Sequence, residues 1–219
     1  MSECLVSHVV DKLYEAVLTA NPDEAKEAAA QVLREKIDPL RAIEDGLVKG
    51  IREVGDRFGR SELFLADLVM SAEAFKEGIQ ILEPELSRKN LKLQTIGTVV
   101  LGTVAGDIHS IGKDMVGVLL SAAGFKVHDL GVDVPTEKFI QNARQNDASI
   151  LGASALLSTS VAEQKKIAEA MKGEGLRDRI KLMIGGAAVS EHWAKEVGAD
   201  GWALSGPEGV EIAKQLMAK

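Results

Sequence analysis

Apolar residues near the start of the chain recur at helical spacing. Leu5, Val9, Leu13 and Val17 fall on one face of an α-helix. Asn21-Pro22-Asp23 then supplies a cap, a first-turn proline and a first-turn acid for a second helix, and Asp38-Pro39 repeats the signal for a third. The third carries Leu40, Ile43, Leu47, Ile51, Val54 and Phe58 and stops at Gly59. A fourth is predicted from Glu62 to Leu82, with Leu65, Leu68, Ala72, Phe75 and Ile79 turned inward. Short connections between four such helices predict an antiparallel bundle.

After Leu93 the period changes. Thr95 to Val104, Lys126 to Leu130, Ser149 to Ser154, Lys181 to Ile184 and Gly201 to Leu204 read as short strands rich in Val, Ile and Leu. Helical stretches follow them, starting near Gly112, Pro135, Thr159, Ser190 and Pro207. Five β-α units in succession predict an α/β fold with a parallel, doubly wound sheet. Ligands of such sheets bind beyond the carboxyl ends of the strands. The loops Ala105 to Ile111, Ser154 to Ser160, Gly185 to Val189 and Leu204 to Gly206 are therefore expected to ring one site.

Charge and glycine divide the chain in the same place. Residues 1–88 hold 18 acids against 11 bases, and residues 89–219 hold 15 of each, so the net charge of -7 belongs to the helical part. Glycine numbers 5 before residue 89 and 16 after it, as a helical segment followed by a turn-rich one requires. Two domains are expected, 1–88 and 89–219, with a boundary between Arg88 and Gln94. A pI near 5.2 with no basic tail argues against nucleic acid as a partner. One cysteine, no apolar run near twenty residues, no signal peptide and a mean hydropathy of +0.03 predict a cytoplasmic protein with no membrane association.

The chemistry concentrates in the predicted loops. Gly106-Asp107-Ile108-His109-Ser110-Ile111-Gly112-Lys113 places an imidazole two residues after a carboxylate. That suits a metal ligand whose second ring nitrogen is held by the acid, and it equally suits ordinary surface polarity. No neighbouring Cys, His or Asp has the spacing to complete a zinc tetrahedron, so a metal here would bring its own equatorial ligands. Ser154-Ala155-Leu156 ends one strand and Gly185-Gly186 the next, with 28 residues between Leu156 and Gly185. The glycine pair reads either as a tight turn or as a groove kept free of side-chain bulk for a long planar group. Neither a dinucleotide fingerprint nor a phosphate loop is present. Elsewhere, Cys4 and His8 lie one helical turn apart, too few for a metal site. His128 and His192 have no organised companions, Met70 and Met171 read as core fillers, and Lys165-Lys166 reads as a solvated face.

Taken jointly, Asp107, His109, Gly112, Ser154, Leu156, Gly185 and Gly186 resemble the cobalamin-binding module shared by cobalamin-dependent methionine synthase and the corrinoid proteins of methylamine, methanol and methoxyaromatic methyltransferase systems. Asp129-Leu130-Gly131-Val132-Asp133-Val134-Pro135 adds to the likeness, which covers nearly the whole chain. The resemblance implies a flavodoxin-like cobalamin domain behind a helical cap. It implies a cobalamin whose benzimidazole tail leaves the cobalt and is buried at Ser154 and Gly185-Gly186, the base-off, His-on state. His109 becomes the metal ligand, Asp107 holds its far nitrogen, and Ser160 bonds Asp107. Gly106, Ile108, Ser110, Ile111, Ser158, Trp202 and Ala203 fall on further cofactor-contacting positions. Glu44, the stretch from Val54 to Gly59 and Phe64 to Leu68 resemble the bundle that covers the methyl-bearing face, with Phe58 and Leu65 as its apolar cap or else as plain bundle core.

The implied function is a methyl carrier rather than a complete enzyme, since no residue reads as a substrate acid, base or nucleophile. Its partners would be a substrate-specific methyltransferase, an acceptor methyltransferase acting on a thiol or tetrahydropterin, and a redox reactivation protein. The alternatives are a cobalamin-based sensor, which would want an output domain, a mutase subunit, which would want an open upper face, and a flavodoxin-like domain without cobalamin.

Overall fold

A computed structural model describes residues 3–89, 91, 93 and 95–218, with side chains from Val6 onward, so the side chain of Cys4 lies outside the described residues. The chain divides into two compact units, Met1–Gln94 and Thr95–Lys219. Among the described residues no helix is long and apolar enough to cross a membrane.

The first unit contains α1 (Glu3–Leu18), α2 (Pro22–Arg34), α3 (Pro39–Arg41), a π-helical stretch (Ala42–Val48) that runs on into α4 (Lys49–Gly59), and α5 (Leu65–Arg88). Both predicted start signals act as caps. Asn21 accepts the N–H of Glu24 at 3.2 Å and Asp38 that of Leu40 at 3.1 Å, each just before a first-turn proline. Val9, Leu13, Val17, Ile43, Leu47, Ile51, Val54 and Leu68 are buried as the periodicity requires. The wider π turn falls inside the predicted third helix and had no counterpart in the sequence pattern.

The fourth helix departs from expectation in extent and in face. It starts at Leu65 because Asp67 reaches back to accept the N–H of Phe64 at 2.9 Å, and it runs through Pro84 to Arg88. Its buried stripe is Leu68, Ser71, Ala74, Gly78, Leu82 and Leu86, whereas Leu65, Ala72, Phe75 and Ile79 are only half-buried. Small residues win this face because the neighbouring helical run comes close: a Cβ on Gly78 would lie 2.7 Å from Leu47 Cδ2. Met70, expected in the core, is exposed, and Met171 is core.

The second unit holds five parallel strands, β1 (Thr98–Thr103), β2 (Lys126–Asp129), β3 (Ile150–Ser154), β4 (Lys181–Gly185) and β5 (Gly201–Ala203), in the order β2-β1-β3-β4-β5. Helices α6 (Ile111–Ala122), α7 (Thr136–Gln145), α8 (Ala162–Gly173), α9 (Glu191–Val197) and α10 (Gly206–Met217) follow them in turn. Strands covered on both faces read as continuous apolar runs, hence the buried Val99, Val100, Leu151, Leu182 and Ile184. β1 is shorter than predicted, starting at Thr98. This is the flavodoxin-like order, and the strand sequence reverses between β1 and β3, so the carboxyl ends of those two strands are where a sheet of this kind is expected to form its ligand crevice.

Gly78→Leu is expected to destabilise the protein by about 1–3 kcal/mol through overpacking against Leu47. Gly59→Ala, where an added Cβ meets nothing within 4 Å, should have no such effect. Urea unfolding followed by circular dichroism checks both.

Candidate cofactor site

The crevice is organised by Asp107, whose side chain is fully buried in the loop after β1. Its Oδ1 accepts the backbone N–H of His109 at 3.1 Å and faces His109 Nδ1 at 2.7 Å. Its Oδ2 accepts the N–H of Leu156 at 2.7 Å, the N–H of Leu157 at 3.2 Å and the hydroxyl of Ser160 at 2.8 Å. Burial alone would raise the pKa of this carboxyl. The bonds from the His109 ring and backbone, Leu156 and Ser160 outweigh it and hold the group well below the usual carboxylate range. Asp107 is therefore an anion that joins the β1 loop to the β3 loop.

An ionised Asp107 fixes the imidazole. Facing a carboxylate, Nδ1 carries the proton and Nε2 keeps its lone pair, the form a metal binds. The His109 side chain is 48% exposed, with Nδ1 on Asp107. The backbone is fixed as well: the buried Thr103 hydroxyl donates to the His109 carbonyl at 2.8 Å. Asp133 accepts the N–H of Gly106 at 2.8 Å through its side chain, and its own N–H donates to the Asp107 carbonyl at 2.9 Å. Thr103 and Asp133 were not singled out from the sequence, although Asp133 stands in the stretch from Asp129 to Pro135.

Around His109 the loops at the strand ends expose apolar side chains. Ile108, Ile111 and Leu204 are at least 70% exposed, and Val132, Leu156 and Leu157 more than a third. A soluble domain rarely spends so many large apolar residues on one rim unless something covers them. Gly106 and Ser110 lie in the same loop and Gly112 in the first turn of α6, and a Cβ on Gly106 or Gly112 would meet nothing within 4 Å, so space and not packing accompanies these glycines. Ser154 ends β3 half-buried, Ser158 is exposed and Ser160 is buried beneath Asp107. Trp202 and Ala203 end β5, with the Trp202 indole donating to the Val189 carbonyl at 3.3 Å.

Both readings of the glycine pair have a physical basis. Gly186 has φ +121° and a Cβ there would lie 1.9 Å from the Ala155 carbonyl oxygen, so the turn itself demands glycine. Gly185 has room for less than a full contact beside the Ala203 carbonyl, 3.3 Å from an added Cβ, and both glycines are half-buried at the crevice.

Within the helical unit, Glu44 stands exposed on the π-helical stretch, and Phe58 and Leu65 are half-buried rather than core. Phe64, which opens the stretch from Phe64 to Leu68 and was not named with Phe58 and Leu65 as the apolar cap, is 82% exposed. His8 and His192 are exposed, and among the described residues no three His, Cys, Asp or Glu side chains could share a metal ion. Lys165 and Lys166 pair with Glu196 and Glu163 on exposed helix faces.

An imidazole held by a buried carboxylate at the switch point of a parallel sheet, with exposed apolar side chains on the neighbouring strand-end segments, is the arrangement of a cofactor-binding α/β domain. A B12 binding domain matches residues 97–213, and a second, helical B12 binding domain matches residues 9–83. The chain belongs to the B12-binding corrinoid proteins of methyltransferase systems. It is 42% identical over 216 residues, 98% of its length and 100% of the relative's, to a corrinoid protein of Desulfitobacterium hafniense. It is 40% identical to a trimethylamine corrinoid protein of Methanosarcina barkeri, covering 95% of this chain and 96% of that one. In structure it is similar to a chain of the methanol:cobalamin methyltransferase complex of Methanosarcina barkeri, with a TM-score of 0.83, 27% identity, and 96% and 80% of the two chains covered.

Because the Asp107 carboxyl titrates below its unfolded value, its contribution to stability is present above about pH 4 and is lost as pH falls further. Asp107→Asn is expected to cost about 1–3 kcal/mol at pH 7, and its deficit against the unmodified protein should shrink on acidification below about pH 4. Urea midpoints measured from pH 7 to pH 3 test this, and a deficit independent of pH would contradict it.

Proposed function

We propose that this protein is a methyl carrier which holds its corrinoid in the base-off state with His109 on the cobalt. The observation that carries the reading is the buried Asp107 with its five donors, which holds His109 by Nδ1 among strand-end segments that expose apolar side chains. Bound there, the corrinoid supplies a cobalt centre that accepts and releases a methyl group. The protein supplies the rest. His109 would hold the metal through its Nε2 lone pair, with Asp107 holding the proton at Nδ1. Ser160 donates to Asp107 Oδ2 and would steady the carboxylate as that proton is held or shared. Ile108, Ile111, Leu156 and Leu157 would cover the ring edge, with Gly106, Ser110, Gly112 and Ser158 leaving space beside it. Ser154 and Gly185-Gly186 would receive the nucleotide tail, with Trp202 and Ala203 beside them.

The helical unit, with Glu44, Phe58 and Leu65, acts as the cover of the methyl-bearing face. Support comes from the match of that unit to a B12 binding domain and from the incomplete burial of Phe58 and Leu65. A covered methyl group must be uncovered for donor and acceptor, so the unit moves aside for two methyltransferases in turn, with a reductive reactivation protein as third partner. The charge of -7 carried by residues 1–88 suits partners with basic surfaces and predicts association that slows with salt.

Electron paramagnetic resonance of the Co(II) form is expected to show superhyperfine coupling from one nitrogen that changes on nitrogen-15 labelling of histidine and disappears in His109→Gly. Coupling indifferent to the label would remove His109 from the metal.

Reconstitution tests the carrier itself. Methyl transfer from amines, methanol, betaines or methoxyaromatics to a thiol or tetrahydropterin should require this protein together with both methyltransferases. Rapid multiple turnover by the chain alone would refute the proposal, and ligand- or light-dependent control of a transcription partner without methyl transfer would replace it with the sensor.

A further inference from the structure

Helix α8 buries one stripe, Gln164, Ile167, Ala168 and Met171. Three of these are the apolar residues such a stripe calls for. Gln164 is not, and it is fully buried. A carboxamide is stable there only if its donors and acceptor are matched. Its Nε2 donates to the Ala153 carbonyl at 2.9 Å and to the Gly185 carbonyl at 3.1 Å, and its Oε1 accepts the Trp193 indole N–H at 3.0 Å. An indole nitrogen only donates, so the oxygen of the amide must face Trp193 and the nitrogen must face the two carbonyls.

Those partners lie at the place that decides the shape of the crevice. Ala153 pairs with Ile184 and Ser154 with Gly185, so the two carbonyls belong to the last rungs of the β3–β4 ladder. The Gly185 carbonyl also accepts the Ala155 N–H at 3.0 Å, one residue before Gly186 passes close to Ala155. Trp193 sits in the first turn of α9, where its N–H donates to Ser190 at 3.2 Å. The segment from Gly185 to Ser190 is thus tied at its start through Gln164 and at its end through Trp193. Trp202 holds Val189 between them.

We propose that Gln164 is a positioning residue, which fixes the carboxyl ends of β3 and β4 and the Gly185-Gly186 turn in the shape that admits the nucleotide tail, with Trp193 locking its rotamer. The inference rests on the tail-burying reading above. An apolar side chain of the same length would fill the volume and leave the three partner groups to relax, which alters the ladder end and not the imidazole side of the site.

Cobinamide has the corrin ring and cobalt of cobalamin and lacks the nucleotide, so the two ligands separate tail from ring. The apoprotein, Gln164→Met and Trp193→Phe are titrated with each, with tryptophan emission of the apo forms and thermal melting recorded alongside. Gln164→Met should raise the Kd for cobalamin about tenfold, the loss of roughly one buried bond network, and leave that for cobinamide within about twofold. Trp193→Phe removes the indole donor while keeping an aromatic ring and should act in the same direction, about threefold; it decides the matter if Gln164→Met does not fold. An unchanged cobalamin Kd, or a parallel rise for both ligands, overturns the proposal. If the unmodified protein binds the two ligands equally well, the buried tail falls and Gln164's role falls with it, an outcome distinct from either variant result.

Discussion

The site depends on one buried anion. Asp107 sits where a carboxylate could not survive alone, because removing a lone charge from water costs several kcal/mol. Donors from three places satisfy it: its own loop at His109, the strand-end amides of Leu156 and Leu157, and the hydroxyl of Ser160. The need runs both ways. Without Asp107 the β3 loop loses the acceptor that organises two successive amides. Without that loop the carboxylate would rise in pKa, take up a proton and stop defining the imidazole tautomer.

The arrangement is possible because β1 and β3 are neighbours. A sheet in the order of the chain would have set β2 between them and kept Asp107 apart from Leu156, whereas the observed order brings residues 49 positions apart within 2.7 Å. The loop after β2 closes on the other side, where Asp133 and Gly131 bond Gly106, Asp107 and Thr103. Rigid strands thus carry short loops that hold one another, and His109 is aimed by backbone bonds as much as by its own carboxylate.

Much of this could be read from residue types. Caps such as Asn21 and Asp38 mark helices because their side chains can reach only the amides just after them, a local rule. Strand runs showed because a sheet covered on both faces has no polar alternation. The Asp-x-His pair and Ser160 were legible jointly and not singly. What escaped detection is non-local. The stripe of α5 went to Ser71, Ala74 and Gly78 because a neighbouring helix comes near, which spacing within one helix cannot reveal. Gln164, Thr103 and Asp133 carry no local signature, since a glutamine, a strand threonine and a loop aspartate acquire meaning only from carbonyls and amides far along the chain. The π-helical stretch at Ala42–Val48 is likewise invisible to a pattern that repeats every 3.6 residues.

The exposed rim separates affinity from tuning. Fully covering one Ile or Leu is worth about 1.5–3 kcal/mol, so a ligand that lies across Ile108, Ile111, Leu156, Leu157 and Leu204 gains most of its binding from surface that the folded chain leaves in water. On the reading proposed above, the Nε2 bond would not have to retain the cofactor and would be left to answer the electronic state of the metal, as a carrier would require and a tight structural metal site would not permit. That reading would also account for one imidazole standing where a bare ion would need three or four ligands, and for the polar groups nearest His109 being devoted to its geometry.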